Sequence, residues 1–214
     1  MRDKSENTSV LFVWNKMKAG DEQSLSWLFA YFYSDLYFYG IKIFKLPDLV
    51  KDSIQDIFSR IWEKRETLGD VQNPKAYLIA SLRRKLFQNI QSDYPALHSG
   101  LPENEEQPEF SFETYDFLEK EELSAQLRKA LVQALTGLSP KQRELIYLRF
   151  YHRLRYLEIA RIMNVNEQTV KNLMQRTLAK LREKIDSDLR DGIQYMDGLI
   201  ITLLQIFSGK IAAS

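Results

Sequence analysis

Residues 92–114 read SDYPALHSGLPENEEQPEFSFET, a stretch with three prolines, one glycine and a run of carboxylates. It is too polar and too often broken to pack as a helix or strand, so it reads as a flexible acidic linker. The sequence on either side must then fold around its own core, and 214 residues suffice for two small domains. Charge follows the same division. Residues 92–122 carry one Lys or Arg against ten Asp or Glu, whereas residues 1–91 carry 14 against 11 and residues 123–190 carry 14 against 6. Two basic blocks around an acidic one suit two polyanion-facing domains on a negative tether better than a uniformly solvated enzyme.

Several function classes fall away on composition. There is no Cys, so neither a disulfide framework nor a thiolate metal site can form, and the two histidines, His98 and His152, stand far apart in sequence. The opening MRDKSENTSV is polar, and no apolar run approaches the ~20 residues of a membrane-spanning helix. The expectation is a cytoplasmic protein with no membrane insertion, metal or cofactor.

Both blocks read as helical. Phe29, Phe32, Tyr33, Leu36, Tyr37, Ile41 and Phe44 recur at three- and four-residue steps, and Ile54, Ile57, Phe58, Ile61 and Trp62 do so again after a break at Pro47-Asp48. Gly69 and Asn73-Pro74 mark a loop and a new helix start, with Pro74 at the first helical position, where its missing N–H costs nothing. That helix should reach about Gln91. Helical patterning resumes near Tyr115, and Gly137 followed by Ser139-Pro140 is a stop and a fresh N-cap.

The segment 156–185, YLEIARIMNVNEQTVKNLMQRTLAKLREKI, stops at Asn-Val-Asn and restarts. Asn166 is a strong N-cap, and Val165 with Val170 could form a hydrophobic staple across it. Leu157, Ile159, Ala160, Ile162 and Met163 supply the apolar side of the first helix; Val170, Leu173, Met174, Leu178 and Leu181 line the second. Gln168, Lys171, Asn172, Gln175, Arg176 and Lys180 are left on the other side. A helical pair joined by a short turn, whose second member shows Lys, Asn, Gln and Arg, matches helix-turn-helix docking in the DNA major groove. Lys and Arg can donate to guanine or phosphate, and Asn and Gln can pair with an adenine edge. A plain helical hairpin with a solvated face fits this stretch as well.

Taken with LVKDSIQDIFSRIWEKRETLGDVQNPKAYLIASLRRKLFQNI and LSPKQRELIYLRFYHRLRYLEIARIMNVNEQTVKNLMQRTLAKLREKI, in that order, the chain resembles a bacterial sigma factor of the extracytoplasmic-function group in the sigma-70 family. The resemblance implies an all-α protein of two small helical domains. Residues 8–91 would bind core RNA polymerase and melt the −10 element, 92–115 would be the linker, and 116–187 would read the −35 element. Core polymerase and promoter DNA are the implied partners, and an anti-sigma factor is a further one the family allows.

Residue by residue, the resemblance places Asp52, Gln55, Asp56, Phe58 and Trp62 in the segment that docks on the polymerase clamp. Phe58 reads equally as core, and Trp62 less so. The loop from Leu68 to Asn73 matches the strand-melting element, which receives a base turned out of the duplex; Leu68, Asp70, Gln72 and Asn73 offer the apolar wall and hydrogen-bonding groups such a pocket needs. Lys75, Tyr77, Arg83, Arg84, Lys85 and Gln88 follow on the next helix as −10 contacts, with Tyr77 equally a core residue and Arg84 where the family commonly has Asn. In the second domain Gln168, Thr169, Lys171, Asn172, Gln175 and Arg176 take −35 positions, and Arg149 is a phosphate candidate. Asn164 replaces a usual Gly of the turn, tolerable because Asn can adopt a left-handed conformation.

Two other readings remain at this point. A stand-alone helix-turn-helix regulator would leave residues 48–91 without a task, and a helical metal-dependent hydrolase would use Asp52 and Asp56, one helical turn apart, on a hard cation. The tail, residues 191–214, lies outside the resemblance. Its apolar steps Leu199, Ile200, Leu203, Leu204 and Phe207 suggest a helix folded against the protein or a partner.

Overall fold

The computed structural model describes residues 2–93, 110 and 133–188. All regular structure among them is helical, and the chain divides into two compact units, Met1–Glu109 and Phe110–Ser214. The tail and most of the expected linker lie outside the described residues.

In the first unit, α1 (Arg2–Lys18), α2 (Glu22–Ile43), α3 (Pro47–Glu63) and α4 (Pro74–Asp93) form a bundle, with a single 3-10 turn at Arg65–Thr67. Helix α2 starts where Asp21 caps it: its carboxylate accepts from Gln23 N at 3.3 Å and from the Ser24 hydroxyl at 2.5 Å. Pro47 opens α3 as the sequence suggests, and α4 opens at Pro74. Trp14 and Met17 of α1, Leu28, Phe32, Leu36 and Tyr39 of α2, Val50 and Ile54 of α3, and Leu78, Leu82 and Leu86 of α4 fill the core.

The buried face of α2 is rotated from the expected one. Leu28, Phe32, Leu36, Tyr39, Gly40 and Ile43 are buried, whereas Phe29, Tyr33, Tyr37, Ile41 and Phe44 are only half-buried. An aromatic-rich helix offers more than one apolar stripe, and the contacts with α1, α3 and α4 choose among them. Gly40 is part of that choice. A Cβ there would lie 2.6 Å from Val50 Cγ1, so the bare backbone lets α2 and α3 approach.

In the second unit, a helical turn at 133–136 precedes α5 (Pro140–Ile146), which passes through a π-helical turn at Tyr147–Tyr151 to α6 (Tyr156–Met163) and α7 (Glu167–Asp188). Ser139 caps α5 in a reciprocal box with Gln142. Leu145, Ile146, Leu148, Leu154, Ile159, Val170, Met174 and Leu181 are buried at the centre. Phe110, inside the segment read as linker, is 2% exposed and packs on Tyr147 with ring centroids 5.6 Å apart. One apolar side chain in a polar run suffices for anchoring, which segment composition cannot show.

The restart between α6 and α7 follows the sequence closely. Asn164 takes the left-handed conformation (φ 54°, ψ 48°), Val165 N–H reaches Ala160 O at 3.0 Å, and Asn166 Oδ1 accepts from Thr169 N at 2.7 Å. Two details differ. Val165 is 41% exposed, so it does not form the buried half of a staple with Val170, and Leu157, counted among the apolar side of α6, is 46% exposed.

Candidate nucleic-acid interface

Helix α7 presents Gln168, Lys171, Asn172, Gln175 and Arg176 to solvent while Val170, Met174, Thr177 and Leu181 are buried. The exposed groups are partly organised by one another. Gln168 Nε2 donates to Asn172 Oδ1 at 3.0 Å, Lys171 Nζ pairs with Glu167 at 2.7 Å, and Arg176 Nε reaches Asn172 O at 3.4 Å. These are exposed contacts of small net worth, so a ligand can replace them at low cost. Thr169 differs: its N–H and its hydroxyl, at 2.8 Å, both donate to the Asn166 cap, so its first task is holding the turn.

Arg149 is also committed. Its guanidinium donates to Leu154 O at 2.9 Å and lies 4.9 Å over the Tyr156 ring, bracing the loop before α6. The sequence pattern missed Glu158, whose buried carboxylate accepts from Arg155 N at 2.7 Å and pairs with the Arg155 guanidinium at 2.8 Å, capping α6 from within. That partner raises the Arg155 pKa further above its ordinary value. The i, i+3 spacing of an acid behind a helix start was the available signal.

In the first unit, Leu68 is half-buried, Asp70 and Gln72 are exposed, and the Gln72 amide donates to the Asp70 carboxylate. Asn73 Oδ1 accepts from Ala76 N at 3.2 Å, so Asn73 serves as the cap of α4. On α4, Lys75 Nζ pairs with Asp35 at 2.7 Å, Arg83 stacks over Phe87 at 4.6 Å, and Arg84 and Gln88 are exposed. Tyr77 is half-buried, its ring set edge-on to Trp14 at 5.6 Å.

On α3, Asp52, Gln55 and Asp56 share an exposed face. Phe58 does not join them: it is 5% exposed and packs edge-on against Phe29 at 5.1 Å, so the core reading replaces the docking one. Trp62 is half-buried beneath the Arg65 guanidinium, 4.5 Å from its ring, and Arg65 also donates to Trp62 O at 2.9 Å. Among the described residues no cluster of three potential metal ligands occurs, and no helix is long and apolar enough to cross a membrane. Asp56 is instead engaged by Lys85 at 2.8 Å.

A family model described as sigma-70, region 4 matches residues 128–181. The RNA polymerase sigma-E factor of Streptomyces coelicolor is 29% identical over 142 residues, covering 65% of this chain and 75% of that protein. The ECF RNA polymerase sigma factor SigK of Mycobacterium ulcerans is 21% identical over 138 residues, covering 64% and 72%. The chain is a sigma-70-family factor of the extracytoplasmic-function group. The sigma factor shares its fold with CnrH, solved in complex with the cytosolic domain of CnrY, at a TM-score of 0.51 and 17% identity over 83% of this chain and 97% of that one. It directs RNA polymerase to promoters as a transcription initiation factor, and a stand-alone regulator is not favoured.

Proposed function

We propose that the two units of this sigma factor divide promoter opening between them. The first, from about residue 8 to 91, docks on core polymerase through Asp52, Gln55, Asp56 and Trp62. It holds the melted −10 strand with Leu68, Asp70, Gln72 and Arg84, while Lys75, Arg83, Lys85 and Gln88 line the neighbouring face of α4. The second unit reads the −35 element through Gln168, Lys171, Asn172, Gln175 and Arg176. The acidic segment 92–115 tethers them, and the reaction takes place in the cytoplasm. An anti-sigma factor as a further partner is an expectation of the family alone.

The observation that carries this reading is the exposed row on α7. Its Lys, Asn, Gln and Arg project from one side of a helix whose entry is set by the Asn166 cap, the arrangement that places a second helix in a major groove. Such side chains divide into base readers and phosphate positioners.

Transcription with core polymerase on genomic DNA, with start sites sequenced, would first define the promoter. Alanine at Lys171, Asn172, Gln175 and Arg176 should then separate the roles. Loss of a reader relaxes preference at one −35 position at a cost of ~1 to 3 kcal/mol, whereas loss of a phosphate contact weakens all promoters and lowers the salt slope by about one. Unchanged −35 preference in all four variants would refute the assignment.

A further inference from the structure

We infer that Lys18, at the end of α1, is a positioning residue for the loop Leu68–Asn73, and that with Trp14 it makes α1 a brace for the element that holds the melted strand. The inference rests on the reading of that loop given above. Lys18 Nζ donates to Leu68 O at 2.8 Å and to Gly69 O at 3.3 Å. One ammonium group thus gathers two successive carbonyls, so both peptide planes at the loop entry are turned toward α1.

Before the entry, Thr67 closes the 3-10 turn by donating its N–H and hydroxyl to Lys64 O at 2.9 and 3.0 Å, and Leu68 is half-buried. Beyond Leu68 the hold is weaker: a Cβ on Gly69 would meet nothing within 4 Å, and Asp70 is exposed. The far end of the loop is secured separately. Asn73 caps α4 through Ala76 N, and one turn into that helix Tyr77 meets Trp14, which is itself buried in the core. Lys18 and Trp14 lie four residues apart, on one side of α1, and so reach the two ends of the loop from a single rigid element. Between those anchors Asp70 and Gln72 are exposed and hydrogen-bonded to each other, so their polar groups face outward as a pair.

A positioning role differs from a direct phosphate contact in what it changes. Loss of Lys18 should let the entry peptides rotate and blur base preference, whereas loss of a phosphate contact would lower binding without regard to sequence. The test uses full-length protein assembled with core polymerase and a promoter library randomised across the −10 region. Lys18→Met should relax preference at the position read by the loop by roughly three- to tenfold. The salt slope and −35 preference should stay as in the wild type, and Lys18→Arg should restore most of the preference.

Wild-type preference in Lys18→Met would overturn the brace. So would a uniform loss of transcription with a salt slope lowered by about one, which would make Lys18 a phosphate contact. Asp70→Ala and Gln72→Ala, run in parallel, separate the role of the loop from that of the brace. If they relax preference and Lys18→Met does not, the brace alone is wrong; if they too leave it unchanged, the loop reading is wrong and the brace falls with it.

Discussion

Lys85 Nζ lies 2.8 Å from Asp56 Oδ2, joining α4 to α3 through residues whose assigned ligands differ. Asp56 belongs to the face read as polymerase-docking and Lys85 to the helix read as DNA-facing, so each neutralises the other in the free protein. Both side chains are substantially exposed, and such a pair is worth about 0 to 1 kcal/mol. A partner that engages Asp56 can therefore release Lys85 at little cost.

It follows that Asp56→Asn should raise binding of the free protein to single-stranded DNA by up to about fivefold at low salt, with the gain fading as salt is added. Lys85→Gln should abolish that gain. A double-mutant cycle in a fluorescence-anisotropy titration measures the coupling, and additive effects of the two changes would rule it out.

Gly40 should not tolerate a methyl group. Ala favours a helix over Gly by about 1 kcal/mol, but the new Cβ would press on Val50, a stiff and fully buried side chain, at an overpacking cost of about 1 to 3 kcal/mol. Gly40→Ala should lower the melting temperature, and adding Val50→Ala should relieve the clash so that the double variant loses less than the sum of the single ones. A rise in melting temperature for Gly40→Ala alone would contradict the close approach of α2 and α3.

The turn before α7 depends on one acceptor. Asn166 Oδ1 receives both the N–H and the hydroxyl of Thr169, so Asn166→Ala should cost about 1 kcal/mol in urea denaturation, whereas Asn166→Asp, an equally good cap, should cost little. If α7 reads DNA as proposed, binding by the alanine variant should weaken as the entry of that helix frays. Equal stability of the alanine variant and the wild type would show that packing alone sets the turn.

Acid should act through Asp21. Its pKa lies below the ordinary value of 3.8, chiefly because the Ser24 hydroxyl donates to it; desolvation opposes this, and the Gln23 N–H and Lys16 add to the lowering. A carboxylate with a depressed folded pKa stabilises above its unfolded value and loses that contribution as pH falls through the folded one. Thermal melts between about pH 5 and 2.5 should therefore show a shallower decline for Asp21→Asn than for the wild type. Parallel curves would remove Asp21 from the acid response.

Local chemistry made much of this protein legible from its sequence. Helix starts at Pro47, Pro74, Ser139 and Asn166 depend on residues within four positions of one another, and the left-handed Asn164 is a property of that residue type; all are seen in the structure. The exposed row on α7 was readable for the same reason, since side chains three and four apart share a face whatever surrounds the helix. Long-range choices were decided only in three dimensions. Which stripe of α2 turns inward, the burial of Phe58, the pairing of Asp56 with Lys85, and the reach of Lys18 to carbonyls 50 and 51 residues away each depend on which helices become neighbours. Sequence periodicity fixes the faces a helix has, and only packing against the other helices selects the face that is buried and the charge that is left to meet a ligand.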